Sequence, residues 1–448
     1  MIEYDTNTYF LRCNFMKVVG IIAEYNPFHL GHERQISYAR KVLGADYIIA
    51  AMSGDYVQRG APALFPKHLR AKMALLGGVD LVLELPVSAS SASAEAFAGG
   101  GVELLDGIGV TDLLCFGSES GQIEFFKKAA HILIQEPPEY KNLLKDLLKK
   151  GLNFPAARSK AFLSYLQQIS SDSLPKDLTA FLSSPNNILG IEYCKALERL
   201  DSSILPVTLL REGAAYHATV LTENTAPSAS GIRAYIKNFL DAPQNSPSGS
   251  GSQRDSQKPE PAALAARLQN FLPGAILPLF IQAISQSSYL TEKDLDGILH
   301  YKLLSLEGKN MDGYLDVSKE LAQRILNHLN EYTGFSQFVQ VLKTRELTYT
   351  RIQRALLHLL LEIRQPPPKI PYARVLGFQK NAAPLLSEIK KRSRLPLLTK
   401  LSSAHQILDG EGMELLKQNT YASNVYESLL CKKEGRSFIH EHAKPVTI

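Results

Sequence analysis

The stretch Asn26-Pro27-Phe28-His29-Leu30-Gly31-His32 holds two imidazoles three residues apart, directly after the apolar run at 18–23. The run reads as a buried strand and the stretch after it as a tight turn and a helix start, which puts His29 and His32 on one helical face. Such a strand-to-helix junction suits an anion, because exposed amide N–H groups and the positive end of the helix dipole both favour negative charge. Two imidazoles there can grip one phosphate and stabilise the charge that develops as pyrophosphate leaves. Gly31, between them, lets a nucleotide come close to the backbone. A second element, Ser228-Ala229-Ser230-Gly231-Ile232-Arg233, sets hydroxyls at a helix N-terminus and Arg233 in its first turn. Alone it reads as an N-cap; paired with the histidines it reads as a turn that closes over a triphosphate. The chain has no Gly-x4-Gly-Lys-Ser/Thr loop and no GxGxxG after a strand, so nucleotide chemistry rests on these two motifs.

The elements that position them alternate. Strand-like runs at 18–23, 47–52, 79–83 and 113–116 are separated by helical patterns at about 36–43, 67–76 and 94–105. Gly77-Gly78 stops the second helix and Pro86 the third strand. Alternation of this kind predicts βαβ units and a parallel sheet, with ligands outside the strand C-terminal ends. The histidines, the loop at 54–60 and Gly117 all follow strands. Residues 120–180 read as helical, and 207–210 as a further strand running into Arg211. A Pro-, Ser-, Gly- and Gln-rich stretch at 241–262 reads as a flexible linker or insertion. The chain beyond it is helical with few strand signals. The expected fold is α/β: a Rossmann-like parallel-sheet nucleotidyltransferase domain at 16–240, then a mostly α-helical domain at 263–448. Residues 1–15 read as an appended tail or as a misassigned start.

The 448 residues exceed one ordinary core, and an apolar share of 45% with 21% charged residues is that of a globular protein. The net charge of +5 is unevenly spread: residues 343–400 hold 13 Lys and Arg against three acids. That concentration predicts a polyanionic partner for the helical half. Cys13, Cys115, Cys194 and Cys431 are far apart with no CxxC pair, which argues against a disulfide framework or a zinc site and fits a reducing compartment. No apolar run reaches the length of a membrane span, and no basic n-region with an apolar core opens the chain. A cytoplasmic protein with no membrane contact is expected.

With these motifs in hand, the chain resembles the bacterial tRNA(Met) cytidine acetate ligases. The resemblance runs from about residue 17 to 400 on Gly-Ile-Ile-Ala-Glu-Tyr-Asn-Pro-Phe-His-Leu-Gly-His at 20–32, Ser-Gly-Asp-Tyr-Val-Gln-Arg-Gly-Ala-Pro at 53–62, Glu84-Leu85-Pro86 and Phe116-Gly117-Ser118-Glu119. It continues on Pro-Asn-Asn-Ile-Leu-Gly-Ile-Glu-Tyr at 185–193, Arg-Glu-Gly-Ala-Ala-Tyr-His at 211–217, the Ser-rich turn at 228–233 and Thr-Arg-Ile-Gln-Arg at 350–354. It implies an enzyme that makes acetyl-adenylate from ATP and acetate. The acetyl group then passes to N4 of the wobble cytidine of elongator tRNA(Met), giving N4-acetylcytidine. His29 and His32 become the catalytic pair. ATP maps onto Ile22, Ala23, Glu24, Tyr25, Asn26, Pro27, Phe28, His29, Leu30, Gly31, His32, Glu33, Arg34 and Gln35, with Gly117, Asn186 or its neighbour Asn187, and Arg211. Ser230 and Arg233 join that set through the turn described above.

Acetate is already a nucleophile, so the mechanism needs no Ser or Cys. A magnesium ion is expected to share the pyrophosphate charge with the histidines, and no protein-held metal is expected: His440-Glu441-His442 reads as a polar tail. Arg351, Arg354, Arg374, Lys390, Lys391 and Arg392 are candidate contacts to the tRNA backbone. Arg59, Lys67 and Arg70 read equally as triphosphate or tRNA contacts and as solvated loop charges. Two other readings stand beside this one: a small-molecule adenylyltransferase of the same fold, which needs no basic helical half, and a non-catalytic tRNA-binding protein with a nucleotide-sensing domain.

Overall fold

The computed structural model describes residues 16–152, 154–169, 178–211, 228–241, 261–365 and 369–448. The expected tail at 1–15, most of the linker and the motif residues 212–217 lie outside the described residues.

Seven strands form the main sheet: β1 (Val18–Ala23), β2 (Tyr47–Ser53), β5 (Leu81–Leu85), β6 (Leu113–Ser118), β7 (Leu205–Leu210), β8 (Ala373–Phe378) and β9 (Leu397–Leu398). Two short strands, β3 (Tyr56–Val57) and β4 (Ala61–Pro62), make a separate antiparallel hairpin. The order across the sheet is β7-β6-β1-β2-β5-β8-β9. The pairings from β7 to β5 are all parallel. Their centre is apolar on both sides, with every residue of β5 buried, as a sheet covered by helices on both faces requires. The chain leaves β1 toward β2 on one side and later returns through β6 on the other, so β1 and β6 flank the crevice where such sheets bind ligands.

Helices α1 (Leu30–Lys41) and α2 (Lys67–Leu76) cover one face with the helices at Ala229–Asp241, Pro261–Leu268 and Leu277–Ser285. The opposite face packs against α4 (Ala94–Gly107) and the helices at Ile123–Gln135 and Pro185–Arg199. Between α2 and α4 lies the short α3 (Val87–Ser90). A third core joins the helices between residues 292 and 363 to the long helix Gly410–Glu434.

The helical second half also returns two strands to the sheet, β8 and β9, which the sequence pattern did not single out. β8 runs antiparallel to β5 and sets Arg374 opposite Glu84. Arg374 is therefore buried, donating to Glu84 at 2.7 Å and to Glu441 at 2.6 Å. This overturns its assignment as a tRNA contact, because a guanidinium spent on two buried carboxylates cannot reach a phosphate. Glu441 is likewise buried rather than part of a polar tail, and it accepts from Lys67 at 2.8 Å. Lys67 has no exposed surface and also donates to Glu84 at 2.7 Å and Ser423 at 2.6 Å. Arg70 is equally buried; it donates to the carbonyls of Phe65, Glu24, Ser53 and Gly54. Neither side chain faces a triphosphate, a tRNA or solvent: both are scaffold charges that tie the ends of β1, β2 and β5 together.

Candidate active site

A cleft of about 1060 Å³, including its open mouth, lies over the C-terminal ends of β1 and β6. Thirteen of the residues expected to bind ATP line it: Ile22, Ala23, Glu24, Tyr25, Asn26, His29, His32, Gln35, Gly117, Asn186, Arg211, Ser230 and Arg233. The elements that bring them together are far apart in sequence, which is what the crevice between β1 and β6 accomplishes.

The histidine segment is held from below. Phe28 is fully buried, and its ring sits 4.9 Å from that of Tyr25 and against the backbone of Gly77. Asn26 accepts the Leu64 amide through Oδ1 at 2.8 Å. His29 caps α1: its Nδ1 accepts the Gly31 N–H at 3.0 Å, while Nδ1 of His32 accepts the His29 N–H at 3.2 Å. The two rings lie 3.9 Å apart between centroids. Backbone amides are obligate donors, so neither Nδ1 carries a proton and each neutral ring keeps its hydrogen on Nε2. Burial lowers the His29 pKa to about 3, with Arg211 and Arg233 adding to the shift. The same burial, with His29 and Arg211, holds His32 well below the usual imidazole range. The pair therefore meets an anion as two neutral N–H donors.

This pattern corrects one expectation. The first amides of α1 are not open to a phosphate: Leu30 donates to the Phe271 carbonyl at 3.0 Å, and the Gly31 amide is taken by His29. Pro27, Phe28, Leu30, Gly31, Glu33 and Arg34 do not line the cleft. Asn186 lines it; Asn187 is buried instead, accepting the Glu119 amide at 3.0 Å. The fit of Asn186 depends on Glu119, which accepts from its side-chain amide at 2.6 Å.

Arg211 crosses Gly117, where a Cβ would stand 3.2 Å from its Cγ and crowd the path of the side chain. Ser228 caps the helix after it by accepting from Gly231 at 3.0 Å. Arg233 donates to Ser230 at 3.3 Å and to the Asn26 carbonyl, tying the Ser-rich turn to the histidine loop.

The sequence reading missed Gln58, Phe97, Phe116, Leu189 and Tyr193 as lining residues and left Arg59 undecided; Arg59 lines the cleft, as do Ser228 and Ala229 of the Ser-rich turn. Gln58 and Arg59 sit in the turn of the β3–β4 hairpin. That turn leans on the helix Tyr349–Leu360: at Gly60, with φ +79°, a Cβ would meet the backbone of Arg354. Ile22, Phe97 and Leu189 form an apolar wall with Leu85 and Ala89 behind it. Apolar lining residues leave no distinct spacing in a sequence, since core and pocket positions look alike.

Of the remaining tRNA candidates, Arg354 is ion-paired to Asp316 at 2.8 Å with its side chain 12% exposed, which withdraws it from an open surface. Arg351 is half-buried, and Lys390, Lys391 and Arg392 are exposed in the last turn of the helix Ala383–Arg392. Among the described residues no group of three His, Cys, Asp or Glu could hold a metal ion, and no helix is long and apolar enough to cross a membrane.

A HIGH Nucleotidyl Transferase family model matches residues 16–440. The tRNA(Met) cytidine acetate ligase of Clostridium perfringens is 36% identical over 92% of this chain and 96% of its own. That of Halothermothrix orenii is 38% identical over 94% and 97%. Among solved structures, Thermotoga maritima TmcAL bound with alpha-thio ATP superposes with a TM-score of 0.81 at 29% identity, covering 96% of this chain and 99% of that one. The chain thus belongs to the HIGH nucleotidyl transferase family and, within it, to the tRNA(Met) cytidine acetate ligases.

Proposed function

We propose that this protein activates acetate with ATP and transfers the acetyl group to N4 of the wobble cytidine of elongator tRNA(Met). The observation that carries the reading is the convergence of His29, His32, Arg211 and Arg233 on one cleft beside Gly117. The likeness to a structure bound with alpha-thio ATP supports ATP as the nucleotide. Acetate attacks the α-phosphorus; the bond to the bridging oxygen breaks, and pyrophosphate leaves with the electron pair. The Nε2–H groups and the two guanidiniums stabilise that departing charge. The wall of Ile22, Phe97 and Leu189 is the apolar surface available to a methyl group. Magnesium, in this reading, enters with the nucleotide's own phosphates, and no step is assigned to a protein-held ion. A tRNA substrate places the enzyme in the cytoplasm. Lys390, Lys391, Arg392 and Arg351 supply backbone contacts to the tRNA.

The test is mass spectrometry of tRNA nucleosides after incubation with ATP, magnesium and labelled acetate. Labelled N4-acetylcytidine is expected with the wild type, and a loss of about 100- to 1000-fold with His32→Ala. Acetylation unchanged in that variant removes the phosphate role from the histidine pair.

A further inference from the structure

The transfer half of the reaction needs a proton acceptor, because the N4 amine must lose a proton as its bond to the acetyl carbon forms. The cleft offers few. Both histidines present N–H at Nε2, their Nδ1 atoms being occupied by backbone amides. Burial raises the phenol of Tyr25, and Cys115 adds to it; burial and the charge of Glu24 raise that of Tyr193. The arginines, amides and serines are donors or neutral. Glu24 is the one carboxylate among the described residues that line the cleft.

Its placement suits the task. Glu24 directly follows β1, and its main-chain carbonyl is clamped by Arg70 Nη1 at 2.6 Å. One carboxylate oxygen accepts the Gln58 N–H of the β3–β4 turn at 2.9 Å, which fixes the side chain and leaves the second oxygen for a ligand. We propose that Glu24 is the general base of acetyl transfer, a role that rests on the function proposed above. The N4 lone pair attacks the carbonyl carbon of acetyl-adenylate, and the C–O bond to the phosphate breaks. AMP leaves with that electron pair, and one N4 proton passes to Glu24 and then to solvent. The first half-reaction asks no proton transfer of Glu24, because its nucleophile is already an anion.

Glu24→Gln separates the steps, since the amide still accepts from Gln58 and preserves the local structure. Acetyl-adenylate is formed on the full-length enzyme with labelled acetate, and its discharge to tRNA is followed in a single turnover. The expected result is discharge slowed by about 100-fold or more, with adenylate formation lowered less than tenfold and tRNA affinity kept. Glu24→Asp, which retains a carboxylate, restores part of the discharge rate. Discharge as fast as in the wild type overturns the inference and leaves the leaving phosphate as the acceptor. Equal loss in both half-reactions overturns it too, making Glu24 part of the nucleotide site. A wild type that forms no acetyl-adenylate overturns the proposed function itself.

Discussion

At the scale of single residues, the decisive feature is that each histidine is committed through Nδ1 to a backbone amide. An imidazole in that state can donate through Nε2 but cannot take a proton without losing its cap. Burial depresses both values, with Arg211 and Arg233 adding to the shift of His29 and the neighbouring His29 and Arg211 to that of His32. The free protein is therefore expected to show no titration of His29 or His32 between pH 5 and 8, read from imidazole NMR shifts. The linked stability has a definite sign. The unfolded chain binds these protons near pH 6.5 while the folded one does not, so stability is full above that value. It falls as the pH drops toward about 3. Two imidazoles that titrate near 6.5 in the folded protein would refute the assigned tautomers.

At the scale of elements, one structure links the second half of the chain to the cleft and another presents charge on its surface. The β3–β4 hairpin brings Gln58 and Arg59 over the cleft and leans on the helix Tyr349–Leu360. The helix Ala383–Arg392 ends in Lys390, Lys391 and Arg392 on the surface. Glu388 pairs with Lys391 at 2.7 Å and with Arg392 at 3.2 Å. Exposed pairs of this kind contribute little, about 0–1 kcal/mol, so a phosphate can replace Glu388 without a large penalty. Reversing the three charges together is expected to weaken tRNA binding and to reduce the slope of log affinity against log salt by about 2–3. Acetate-dependent ATP–pyrophosphate exchange should stay near the wild-type rate. An unchanged salt slope would move the tRNA surface elsewhere.

At the scale of the whole molecule, a buried ion network joins the C-terminal segment to the sheet. Glu441 and Glu84 face Lys67 and Arg374, with His68 at 3.1 Å from Glu441. Burial alone would raise the Glu441 pKa, but Lys67, His68 and Arg374 outweigh it and hold the carboxyl well below its usual range. Removing one partner of such a network leaves buried charge uncompensated. Glu441→Ala is expected to cost about 3–5 kcal/mol in urea unfolding, with the catalytic cleft untouched. Because the folded value is depressed, the network's contribution is present above the ordinary carboxylate value of about 4.3 and is lost as pH falls below it. A variant within about 0.5 kcal/mol of the wild type would show that the network contributes little to stability.

The sequence alone determined the α/β order, the start of α1 at the histidine pair and the cap at Ser228, because periodicity, Gly and Pro stops and N-caps are local signals. The histidine pair and the Ser-rich turn stand out as motifs, while Arg211 and Asn186 come from the family resemblance; together they make up much of the polar lining of the cleft. Only the tertiary structure decided which charges are free. Arg374, Lys67 and Arg70 look like solvent-facing cations along the chain. Arg70 is buried among the carbonyls of Phe65 and of residues at the ends of β1 and β2. Arg374 is buried because β8 returns to pair with β5, and Lys67 because it meets Glu84 there and Ser423 of the long C-terminal helix. The contacts of Arg374 with Glu84 and of Lys67 with Ser423 join residues hundreds of positions apart. The same long-range packing selected Asn186 over Asn187 and supplied Gln58 and the apolar wall. It also engaged the Leu30 amide with the Phe271 carbonyl, which leaves the two imidazoles rather than that amide to face the cleft.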